Sequence, residues 1–77
     1  MPRFFIDVDA DHRMTRDEDG ADFLNLEAAQ KEALAAMEEI LRVRLSDGSP
    51  HAATSSIRDE AGELVFMANL SLTINED

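Results

Sequence analysis

The stretch Asn25–Leu45, NLEAAQKEALAAMEEILRVRL, decides the fold. At about 100° per residue, Leu26, Ala29, Ala33, Met37, Ile40 and Leu41 fall on one side, and Leu34 and Leu45 widen it. Lys31, Glu32, Glu38, Glu39 and Arg42 fall opposite. Ala28, Ala29, Ala33, Ala35 and Ala36 carry high helix propensity. Asn25 can cap the first turn through its side-chain carbonyl, and Leu24 can staple onto Ala29. Glu27 meets the positive end of the helix dipole, Arg42 and Arg44 the negative end. Gly48 and Pro50 stop the helix. One long amphipathic helix must therefore cover an apolar surface with one broad side.

The flanking segments supply that surface. From Leu64 the even positions read Leu64, Phe66, Ala68, Leu70, Leu72 and Ile74, and the odd ones drift to Asn69, Ser71 and Thr73. That alternation predicts a half-buried strand. Thr54 to Asp59 predicts its partner, with Asp59-Glu60-Ala61-Gly62 as the hairpin connection. At the other end Phe4, Ile6 and Val8 alternate with Arg3, Phe5, Asp7 and Asp9. A weaker strand is predicted between Arg13 and Asp17 or just after Gly20. The expected class is α+β in the order ββαββ, an antiparallel sheet with the helix on one face. Residues 1–77 are read as a single domain.

At this size only about 60% of the unfolded surface is buried, and the absence of cysteine rules out disulfide or thiolate support. Self-association is the available supplement. Parity places Phe5, Val65 and Met67 on the sheet face away from the helix, which makes them the candidate homodimer interface. The chain carries 17 acidic against 7 basic side chains, a net charge of −10. That charge repels nucleic acid and favours a basic protein partner. No apolar run is long enough to span a bilayer and no secretory signal opens the chain, so the expectation is a cytoplasmic protein without membrane association.

The sharpest chemical lead is the acidic stretch from Asp7 to Asp22. Asp7, Asp9, Asp11 and Glu18 stand at positions 1, 3, 5 and 12 of a calcium-loop spacing. His12 stands where that loop needs Gly, and neither flank is helical. The competing reading is that these acids face water and blunt an exposed strand edge. His12 and His51 are far apart in sequence, and Ser46, Ser49, Ser55 and Ser56 have no base or Gly-bounded elbow beside them. Asp17, Glu18 and Asp19 before Gly20 read as a turn. The expectation is a protein-interaction module with no catalytic activity and no cofactor, with cation binding by the acidic loop as the alternative.

The blocks PRFFIDV, DEDGADF, NLEAAQKEAL and IRDEAGELVF resemble a family of small uncharacterised proteins found mainly in rhizobia and related alphaproteobacteria, filed as a domain of unknown function. The similarity runs from about Met1 to Met67. It implies no catalytic or binding residue. The junction of Gly20 with NLEAAQKEALAAMEEIL is also similar to the strand-to-helix step of HicB-type antitoxins. That second likeness implies a small sheet backed by one helix and the neutralisation of a basic partner. No appended DNA-binding element is present to suggest autorepression.

Overall fold

The computed structural model describes residues 1–10, 13–44 and 51–72. The elements in order are β1 (Arg3–Ala10), β2 (Arg13–Thr15), β3 (Ala21–Asp22), α1 (Leu26–Arg44), β4 (His51–Arg58) and β5 (Leu64–Leu72). All strands pair antiparallel, in the order β2-β1-β4-β5, with β3 beside β1 on the same side as β2. The class is α+β, as the periodicities require. Both predicted places for the weaker strand are occupied: β2 pairs with Val8–Ala10 and β3 with Arg3 and Phe4. Together they form one interrupted edge.

The helix begins where its cap dictates. Asn25 Oδ1 accepts from the Ala28 amide at 2.9 Å, satisfying one of the free N–H groups of the first turn. The staple differs from expectation. Leu24 is 74% exposed, and Phe23 instead turns inward. Its ring lies 6.3 Å from that of Phe4, tilted by 44°. The Phe23 amide donates to the Pro2 carbonyl at 2.9 Å, which extends the β1–β3 pairing and fixes the side of the chain from which Phe23 projects. Leu34 does not widen the buried stripe, being 41% exposed. Leu45, Gly48 and Pro50 lie outside the described residues.

The core forms two patches along α1. Ala29 and Ala33 meet Phe4 and Ile57, flanked by Ile6, Phe23, Leu26 and Phe66. One turn further on, Met37 and Leu41 meet Ala10 and Ala53, flanked by Val8, Ile40, Ala68 and Leu70. Small helix residues at the first patch let the backbone approach the sheet closely, and the larger Met37 and Leu41 fill the space against Ala10 and Ala53. Ser55 is fully buried in this layer, and its hydroxyl donates to the Asp7 carbonyl at 3.1 Å. The helix lies chiefly over β4, with β1 and β5 to either side.

The β4–β5 hairpin turns as its sequence predicts. Asp59 Oδ1 accepts from the amides of Ala61 and Glu63, both at 2.9 Å, and Gly62 adopts φ of 82°. A register shift follows: Arg58 aligns with Leu64 and Ile57 with Phe66, leaving Val65 unpaired at a bulge. The alternation expected from Leu64 therefore holds only from Phe66 onward. Leu64 is 57% exposed, because the bulge turns it out of the helix-facing row. Ile74 falls outside the described residues.

Candidate functional site

The sheet face away from the helix has two unlike halves. Over β1 and the near end of β4 lies a polar cluster built on Asp7, Asp17 and Arg58. Asp7 sits in the middle of β1, and strand parity sends its side chain to this face along with Phe5 and Asp9. Its carboxylate is nevertheless almost fully buried, with 7% of the side chain exposed. Arg58, at the end of β4, meets it with both arms: Nε donates to Oδ2 at 2.8 Å and Nη2 to Oδ1 at 3.0 Å. Nη2 also donates to the Asp17 carbonyl at 2.8 Å. The guanidinium carbon lies 5.2 Å from the centre of the Phe5 ring, a cation–π placement.

Asp17 closes the cluster from above. Its amide donates to Asp7 Oδ1 at 2.9 Å. Its own carboxylate accepts from Gly20 at 2.9 Å and Asp19 at 3.2 Å through Oδ1, and from the Ile6 amide at 3.2 Å through Oδ2. Ile6 lies between the β1 residues paired with β3 and those paired with β2. The Asp17 side chain thus replaces the carbonyl that an uninterrupted edge strand would present there. Gly20, at φ of 71°, lets the chain return to β3 against the Phe5 ring. A Cβ at that position would stand 2.8 Å from Phe5 Cε2.

These contacts set the electrostatics. The bidentate Arg58 holds the Asp7 carboxyl below its usual 3.8, outweighing the opposing effect of burial, with the Asp17 amide adding to the depression. The Asp17 carboxyl is lowered as well, first by the Gly20 amide and then, after the opposing effect of burial, by those of Ile6 and Asp19. The Asp7 contact raises Arg58 in turn. Asp7 and Arg58 are therefore charged partners at every pH near neutrality.

The expectation that all the acids of this stretch face water is corrected at Asp7. Asp9 and Glu18 are exposed as expected, and Asp11 and His12 lie outside the described residues. The calcium spacing is not assembled: Asp7 presents its oxygens to Arg58 and to an amide, and among the described residues no three His, Asp or Glu side chains gather around a common point. Arg58 was not singled out by sequence reasoning. The only signal available was a lone arginine at the end of the β4 segment and a lone acid flanked by Ile6 and Val8 in a sheet with strands on both sides. Of the three interface candidates, Phe5 is half-buried between Arg58 and Gly20, whereas Val65 is 37% and Met67 55% exposed.

The other half of this face is open, with Met67 exposed among polar neighbours. Met67 aligns with Ser56, and Asn69 with Thr54, whose hydroxyl donates to Asn69 Oδ1 at 2.6 Å. Across the sheet, Met14 is 67% exposed beside Asp9. The match to a known family covers residues 3–71. The chain belongs to DUF6894, a domain of unknown function. No curated protein and no solved structure matches it. Among the described residues no helix of this DUF6894 domain is long and apolar enough to cross a membrane.

Proposed function

We propose that this DUF6894 domain is a non-catalytic interaction module of the cytoplasm that associates with itself and with a basic protein partner. The observation that carries this reading is the pair Val65 and Met67, apolar and exposed on β5 beside Leu64. The polar cluster on the same face is fully engaged internally. No buried side-chain N or O among the described residues lacks a hydrogen-bond partner. Groups satisfied in this way are suited to holding the edge of the sheet, and offer little to a substrate. The net charge of −10 supports a basic partner, as antitoxin-like neutralisation would require, and a sheet backed by one helix is a body suited to that task.

The test is affinity capture by the tagged full chain and by its Met67→Asp form. A basic protein retained by the first and lost by the second, with unchanged circular dichroism, is the expected result. Partners retained equally by both, or none at all, would overturn the reading. A melting temperature raised by millimolar calcium would instead favour the acidic loop as a cation site, because a ligand bound only to the native state stabilises it.

A further inference from the structure

We propose that two copies of this chain pair antiparallel along β5, with the twofold axis at Ala68, to give one continuous sheet carrying both helices on the same side. The inference rests on the reading of the domain as an interaction module and names the surface used for self-association. β5 is an edge strand of nine residues, LVFMANLSL, and among the described residues no strand lies on its outer side. It contains no charged residue and no proline, in a chain that is 31% charged. Long, uncharged edges of this kind recruit further strands, and soluble proteins ordinarily interrupt them with charge, proline or a covering loop.

Three observations select a second copy as the occupant. First, Phe66, Ala68 and Leu70 face the helix layer yet stay only half-buried. A helix about 10 Å wide cannot cover strands spaced about 4.8 Å apart across the whole sheet, and this one lies chiefly over β4. A second β5 brings its own Phe66 and Leu70 to that uncovered flank. Second, the twofold axis at Ala68 sets Phe66 opposite Leu70 of the second copy on the helix side, and Met67 opposite Asn69 on the open side. Apolar residues thus meet apolar ones where the core continues. The two helices would lie about 14 Å apart, three strand spacings. That exceeds the contact distance of about 8–10 Å, so they do not collide.

Third, β5 itself is free of charge. Asp17, Glu18, Asp19 and Asp22 lie on the β2–β3 side, and at the β5 margin Asp59, Glu60 and Glu63 are confined to the turn before Leu64. Two chains of −10 each therefore meet with least repulsion along the uncharged length of β5. The far margin is also closed by Asp17, so pairing along β5 stops at two copies.

Sedimentation of the full chain should give twice its mass of 8.6 kDa. The chain has no cysteine, so Ala68→Cys supplies a clean proximity probe. Directly opposed residues in an antiparallel pair have Cα atoms about 4.5–5.5 Å apart, within disulfide reach. Mild oxidation of that variant should therefore convert most of it to covalent dimer, and Met67→Lys should reduce the unmodified chain to a folded monomer. A wild-type chain that sediments at 8.6 kDa overturns the proposal. A dimer whose introduced thiols stay reduced overturns it in favour of face-to-face packing. A monomer that still captures a basic partner removes this inference alone, and a cross-linked dimer that captures nothing removes only the heterologous half of the function.

Discussion

The two margins of the sheet solve the same problem in opposite ways. On the β2–β3 side the strand is broken, and a side chain, Asp17, is inserted where backbone pairing lapses. Charges crowd around the break: Arg58 below, Asp7 beneath it, and Arg3 against Asp22 at 3.3 Å on the rim. On the β5 side the strand runs nine residues with one bulge near its start and no charge. The first margin is protected by local irregularity at the cost of two very short strands. The second is regular, and among the described residues no strand covers its outer ladder. Blocking one edge and leaving the other open gives an assembly a direction.

The largest test of this contrast is Asp17→Ala. That change removes the acceptor of three amides, Ile6, Asp19 and Gly20. Unsatisfied donors at a partly covered site cost about 1–3 kcal/mol in total, a large share of the about 4–12 kcal/mol expected for a domain of this size. Thermal melting should drop sharply, and amide exchange should quicken at Ile6 ahead of β4. An unchanged melting temperature would mean that water serves the gap equally well.

Acid probes the same margin. Because the Asp7 and Asp17 carboxyls are both held below the usual 3.8, their contribution is complete above that value. It drains away as pH falls from about 4 through their lower native values, where both carboxylates take up protons. The melting temperature of the native chain should fall across that window. Asp7→Asn should lie lower at neutral pH and fall less steeply.

The glycines sharpen the comparison by a smaller step. Gly20→Ala meets both a positive φ and the Phe5 ring at 2.8 Å, and should cost about 2 kcal/mol. Gly62→Ala meets only the positive φ, with nothing within 4 Å, and should cost about 1 kcal/mol. Equal losses in urea titrations would show that Phe5 gives way freely. The smallest effect belongs to the open margin: Met67→Lys should change the stability of the isolated fold by less than about 0.5 kcal/mol, read by the same titrations on dilute protein.

Much of the layout was legible because it repeats. The helix shows itself through residues spaced three and four apart from Ala29 to Leu41, and β5 through alternation from Phe66 to Leu70. The Asp59–Gly62 turn carries its own local chemistry. The Asp7–Arg58 pair does not repeat and is not local, since 51 residues separate its members. An aspartate in β1 looks the same in sequence whether a loop folds over it or water does. What distinguishes the two cases is the path from Arg16 to Gly20. Phe23 replaced Leu24 at the helix entrance for a related reason: the Phe23–Pro2 hydrogen bond fixes which of two neighbouring apolar residues turns inward.

The Asp17 insertion has one more consequence. β2 and β3 each hold their own alignment with β1, and a carboxylate bridges the interval between them. The register of each short strand is thus set locally, and a disturbance of one need not slide the other.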